Sequence, residues 1–265
     1  MRKKIISGWR LLFLLFLLAG AIPNAHAFTT DDTDTLGKGK TSIAINSQVS
    51  FDKNIQPDAG GNPDHAKQRE VELNASISYG ISNPVDLTLT LPYQWNESQT
   101  DRQTLSNVNG FSDITLDLKW RFFKQDGLSF AFHPEIIFPA GDKDKDLGAG
   151  RVSGSLFFIV TKEIDPWEFN FNLAYTRNEN ELDQREDIWH VLVAAELKVM
   201  KDLRLVANAG IERNSDKTSE IDPAFILGGV IYSVTENINI ELGLKAALTS
   251  TEPDYAFMGG INFSF

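Results

Sequence analysis

From residue 40 onward, apolar and polar side chains alternate in one segment after another. The pattern is plainest between 70 and 95. Val71, Leu73, Ala75, Ile77, Tyr79 and Ile81 share one parity, against Glu70, Glu72, Asn74, Ser76, Ser78 and Gly80. Val85, Leu87, Leu89, Leu91, Tyr93 and Trp95 then stand against Asp86, Thr88, Thr90, Pro92 and Gln94. A period of two places each parity on its own face of a β-strand. Twelve such segments are predicted, at 40–51, 68–82, 85–95, 112–123, 128–139, 151–162, 167–177, 187–200, 203–213, 223–234, 237–249 and 255–265. Each can cross a hydrocarbon layer as a tilted strand, which takes about 9–11 residues.

The connections fall into two kinds. Short links stand at 82–84, 124–127, 163–166, 201–202 and 235–236; longer polar links stand near 52–67, 96–111, 140–150, 178–186, 214–222 and 250–254. Short and long alternate strictly, which predicts an all-β chain forming a single up-and-down transmembrane barrel of twelve antiparallel strands. The turns, and both termini, would face the periplasm. Because lipid cannot satisfy an open strand edge, such a sheet must close on itself. Residues 28–39 precede the first strand and are too few for a plug domain.

A soluble sandwich also alternates, but three features favour the barrel. Trp95, Trp120, Trp167 and Trp189 fall near strand ends in the apolar register, as rings do at the two water–lipid boundaries. The chain closes on INFSF, where Phe263 and Phe265 resemble the assembly signal that outer-membrane proteins offer to the barrel-assembly machinery. The polar register, finally, is dense in charge. It holds Glu70, Glu72, Asp86, Asp117, Glu135, Glu168, Glu196, Glu212 and Glu241, with Lys119, Arg121, Arg151, Lys198, Arg204, Lys245 and His133. In a closed barrel these are candidate lumen-lining residues, paired across strands in ladders that line a pore or fill it. One anomaly remains. Phe123, Ile137, Phe157, Ile159, Phe225, Leu227 and Ile231 fall in the same inward register. They mark either an apolar patch for a hydrophobic ligand or a β-bulge that shifts the register.

The N-terminus refines location. Arg2, Lys3 and Lys4, the apolar run 11–18, and Ala25-His26-Ala27 form a secretory signal cleaved after Ala27. The chain thus divides into a signal peptide, 1–27, and an outer-membrane barrel domain, 28–265. Without cysteine there is no lipidated N-terminus, disulfide or thiolate metal site. Removing the signal leaves 21 basic against 36 acidic residues, a formal charge of −15 that disfavours nucleic acid.

Two stretches carry a family resemblance. NGFSDITLDLKWRFF (109–123) resembles the G-x-x-D strand motif of the outer-membrane transporter family called "putative MetA-pathway of phenol degradation", and FPAGDKDKDLGAGRVSGSLFFIVTKEI (138–164) its P-x-G-D…L-G-x-G loop and strand. LPYQW (91–95) fits the strand upstream. The resemblance implies an outer-membrane barrel that passes aromatic or other hydrophobic compounds, and it brings no catalytic residues.

Other chemistry is thinly supported. The carboxylates of 142–146 are spaced as in a calcium loop, but Leu147 and Ser153 stand where its Gly and Glu would be. His65, His133 and His190 are too scattered for a dedicated metal site. Ser129 and His133 share a face of the fifth predicted strand, with Ser155 across from them on the sixth, but without the third group and oxyanion hole that a hydrolase needs. The expectation is a passive channel for small solutes, aromatic or hydrophobic, with no cofactor and no enzymatic activity. Its partners would be outer-membrane lipid, lipopolysaccharide and the solute. The alternatives are a non-conducting barrel whose loops bind partners, or a lipid-directed enzyme.

Overall fold

The computed structural model describes residues 28–57, 63–100 and 104–265. Its strands are β1 (Thr41–Pro57), β2 (Pro63–Ser82), β3 (Val85–Gln99), β4 (Thr104–Phe111), β5 (Ile114–Gln125), β6 (Leu128–Phe138), β7 (Ser153–Ile164), β8 (Trp167–Arg177), β9 (Asp187–Met200), β10 (Leu203–Glu212), β11 (Ala224–Thr235), β12 (Ile238–Ala247) and β13 (Tyr255–Ser264). All pairings are antiparallel, and β1 pairs with both β2 and β13, so the sheet closes into a barrel.

β4 and β5 form a single stave. Both lie against β3, β4 along its far half (Trp95↔Asn109) and β5 along its near half (Leu87↔Leu118), with the break at Ser112 and Asp113. The barrel is therefore twelve-stranded, as the alternation predicted. All short turns gather at one end, with the last strand, and all long connections at the other.

Two of the predicted loops are not loops. The β1–β2 ladder runs on to Pro57↔Pro63, and the β3–β4 ladder to Gln99↔Thr104. These polar hairpins continue the sheet beyond the barrel wall. Where both faces meet water neither parity needs to be apolar, so the alternation fades although the backbone ladder persists. A second departure sits on β5, where the register against β6 shifts between Arg121 and Phe123. That bulge turns Phe122 and Phe123 outward together, which removes Phe123 from the inward set.

The outer wall is apolar over its whole circumference, with Leu89, Leu173, Val193, Leu242 and Phe257 all exposed. A continuous belt of this extent far exceeds the few hundred Å² of a typical soluble surface patch. Hydrocarbon accommodates it. The tryptophans border the belt on the outside: Trp120 and Trp167 towards the turn end, Trp95 and Trp189 towards the loop end. Closure brings the chain terminus to the first strand, where Thr41 N–H donates to Phe265 O (2.8 Å) and Phe265 N–H to Thr41 O (2.9 Å).

Candidate functional site: the lumen and its internal segment

The interior is not lined by strands alone. Residues 28–40 leave β1 at the turn end, fold back and climb inside the barrel. The reversal uses Gly37 (φ +86°) and Gly39 (φ +81°), a region open to glycine at little cost. The wall makes room at Gly80, where a Cβ would lie 1.9 Å from Gly37 O. No folded plug domain is present in these residues. An extended chain spans about 3.3 Å per residue, so even a strap this short reaches well up the lumen.

Sequence complementarity explains the strap's position. Asp31, Asp32 and Asp34 lie on it, and Lys119, Arg121 and Lys124 alternate with the outer-face residues of β5. Lys119 Nζ lies 2.6 Å from Asp31 Oδ1 and 3.8 Å from Asp32 Oδ1. Arg121 lies 3.2 Å, and Lys124 3.3 Å, from Asp34 Oδ1. His133 on β6 places Nδ1 3.0 Å from Asp31 Oδ2, and its Nε2 is 3.0 Å from Asp117 Oδ1. The strap's backbone is satisfied by side chains of the wall, as buried amides must be. Asp31 N–H donates to Asn172 Oδ1 (2.7 Å), Thr33 N–H to Thr161 Oγ1 (3.0 Å) and Leu36 N–H to Asp86 Oδ2 (2.7 Å), while Asn172 Nδ2 donates to Asp31 O (2.8 Å).

Across the barrel from β5, Phe225, Leu227 and Ile231 of β11 face inward and are buried. Phe157 and Ile159 also face inward, but on β7, beside His133. Phe28, the first described residue, joins Leu192, Val206, Phe225, Leu227, Ile231 and Met258 in one cluster. So charged side chains of β5 and β6 grip the strap, and its tip rests on an apolar patch centred on β11.

Space remains beside and above the strap. A cavity of about 450 Å³ lies between it and β1–β6, bordered by Glu72, Thr90, Asp117 and Glu135. A second, of about 570 Å³, opens at the loop end among Glu70, Arg69, Glu97, Asp144 and Lys145. Their linings step along the same strands, Glu72 to Glu70 on β2 and Pro92 to Asn96 on β3.

The other charged candidates fall in three places. Glu196 and Glu241 are buried within the barrel; Arg204 lies 3.1 Å from Glu196, and Lys245 2.5 Å from Glu252. Glu168 accepts from Asn170 Nδ2 (3.1 Å). Lys198 and Glu212 are exposed near opposite rims, Glu212 2.8 Å from His190 Nδ1. Arg151 stands outside the strands, exposed in the loop before β7 and 3.8 Å from Glu181. That loop is tied down by Asp113, which accepts from Gly141 N–H (2.9 Å) and Ala149 N–H (2.7 Å). Its Asp142 carboxylate turns to Lys145 (2.9 Å), whose ammonium holds it below the usual carboxylate range. Lys143 does the same to Glu181 across the gap between loops. Ser155 faces Glu135, and Ser129 faces Thr161, so neither hydroxyl meets the His133 ring. Residues 1–27 and the side chain of His65 lie outside the described residues.

Alternation located the wall residues, but the strap carries no periodicity and was missed. Two signals pointed to it: a run of three aspartates before β1, and an apolar inward patch with nothing assigned to cover it.

Comparison with known proteins places this architecture. An outer membrane channel from Pseudomonas putida F1, known as a crystal structure, aligns over 90% of this chain and 100% of its own, with a TM-score of 0.67 at 13% identity. The NanC porin aligns over 83% of this chain and 98% of its own, with a TM-score of 0.51 at 8% identity. No curated protein matches the chain. A family model does match, over residues 30–265, and the chain belongs to the family described as "Putative MetA-pathway of phenol degradation".

Proposed function

We propose that this protein is an outer-membrane channel for small aromatic or otherwise hydrophobic molecules, closed at rest by its own N-terminal strap. The carrying observation is the two-sided lumen: a strap held by charge on one wall, with its only aromatic ring laid on an apolar wall opposite. A pore for hydrophilic solutes has no use for buried Phe225, Leu227 and Ile231, whereas a hydrophobic solute does. The family description and the name of the Pseudomonas putida channel agree with this reading. The turn end faces the periplasm and the loop end the outside, the usual arrangement of such barrels. The test is barrel-dependent uptake of a small aromatic through a lipopolysaccharide-bearing membrane.

Export requires a leader. Cleavage after Ala27 leaves Phe28 as the first residue, and Edman degradation of the membrane-extracted protein should begin Phe-Thr-Thr-Asp. A mature chain beginning at Met1 would overturn this.

Assembly depends on the terminal strand. Phe263 and Phe265 serve as its signal to the barrel-assembly machinery, because β13 must be recognised and then paired with β1 to close the wall. Deleting Phe265 removes both hydrogen bonds to Thr41 and should deplete the heat-modifiable folded band in outer-membrane fractions. An undiminished band would count against the signal.

A further inference from the structure

β11 and β12 carry inward glycines at one level. Gly229 pairs with Gly243, and the row continues to Val206 on one side and Met258 on the other. Glycine weakens a strand interior and commonly marks close approach of another group. Here that group is the Phe28 ring. A Cβ at Gly229 would lie 2.5 Å from Phe28 Cζ, and one at Gly243 2.6 Å from Cε1. One edge of a single six-membered ring thus spans the dent.

The second observation is polar. Asn208 on β10 faces inward beside Leu227, two residues beyond Val206, and stands diagonally across the wall from Gly229. It is 4% exposed, and neither its Nδ2 nor its Oδ1 has a hydrogen-bond partner among the described residues. A buried amide with donor and acceptor both unmatched is rare in a resting protein and costs stability until something meets it. Phe28, a bare hydrocarbon ring, cannot.

We propose that the dent at Gly229 and Gly243 is a binding site for a single unfused aromatic ring bearing one small hydrogen-bonding substituent such as a hydroxyl, and that Phe28 is its resident competitor. The ring of the ligand replaces that of Phe28 on the two glycines, and its substituent meets Asn208. Phe225 and Leu227 continue the apolar stripe along β11 from the loop end to the dent, with the Lys245 ammonium 5.0 Å from the Phe225 ring centroid beside it. The strap's ionic anchors begin at Asp31 and lie on the opposite wall, so Phe28 can leave its place while they hold. The assignment rests on the hydrophobic-channel reading above and gives it a ligand class and a location.

The experiment measures binding of 4-fluorophenol and fluorobenzene by ¹⁹F NMR to the mature barrel in lipid nanodiscs, with empty nanodiscs subtracted. Phe28→Ala should tighten both ligands about tenfold, since the competing phenyl group is gone. In that background 4-fluorophenol should bind about fivefold more tightly than fluorobenzene, and adding Asn208→Ala should erase the difference. Gly229→Ala should abolish binding of both, with Gly243→Ala as an independent repeat and the heat-modifiable band as the check on folding. Equal affinity in wild type and Phe28→Ala would overturn the competitor role. A phenol preference that survives Asn208→Ala would overturn the polar contact, and full binding in both glycine variants would overturn the site. Binding as described without barrel-dependent uptake would leave the site standing and remove the channel reading. Uptake with none of these binding differences would do the reverse.

Discussion

Deleting residues 28–36 should raise the single-channel conductance of the barrel in planar bilayers several-fold. The strap crosses the turn-end half of the lumen, and without it the cavities of about 450 and 570 Å³ would join a wider interior. The wall should survive, because every stave keeps both of its neighbours. A gentler variant isolates the anchor. Lys119 is the shortest ionic contact to the strap, 2.6 Å from Asp31, and both side chains are largely shielded from water. Removing one partner of a buried pair typically costs about 3–5 kcal/mol, because the other charge is left uncompensated. Part of that loss is recovered here, since His133 also faces Asp31. Lys119→Met should still shift the closed-to-open balance by roughly tenfold, which takes about 1.4 kcal/mol. Recordings should show longer and more frequent openings than in wild type. Unchanged conductance in both variants would mean that the strap does not set the permeation barrier.

The second large effect lies on the outer wall. Leu89 sits mid-strand on β3, pairs with Ile77 and Leu116, and is exposed on the belt. Arginine at the bilayer midplane of such a barrel costs about 2–4 kcal/mol. Leu89→Arg should destabilise the folded barrel by that amount in urea titrations from lipid vesicles. Leu242→Arg, on the far side at β12, should do the same. Glu72→Gln borders the lumen cavity instead and should leave the unfolding midpoint unchanged. Similar midpoints for all three would show that the inner and outer faces have been misread.

Much of this molecule is legible in its sequence because lipid imposes a rule at nearly every wall position. A residue such as Leu89 must be apolar when its neighbours Thr88 and Thr90 need not be, so parity alone orients the strands. The rule lapses where lipid does. Beyond the membrane, the β1–β2 and β3–β4 hairpins keep their ladders with polar residues on both faces, and they read as loops. Inside the barrel the strap obeys no period, because each of its residues meets a different part of the wall. Asp31 answers Lys119, Thr33 answers Thr161, and Phe28 answers two glycines far along the chain. Such long-range complementarity leaves only indirect traces in a single sequence. The inward apolar residues were one of them. Phe225, Leu227 and Ile231 face the lumen and form the wall on which Phe28 rests, while Phe123 belongs to a bulge. The inward register therefore stands for those three residues, and the bulge accounts for Phe123.

A channel for hydrophobic solutes must carry them past the lipopolysaccharide leaflet, the layer that slows them most. The direct measurement is initial uptake of radiolabelled toluene, at limiting concentration, by Gram-negative cells with and without this protein in the outer membrane. A hydrophilic trisaccharide serves as the second solute. Toluene should enter faster with the barrel present and faster still when residues 28–36 are deleted, with little trisaccharide entry through the intact chain. Equal toluene uptake with and without the barrel, or an intact chain that admits the trisaccharide as readily as toluene, would contradict the hydrophobic-channel reading.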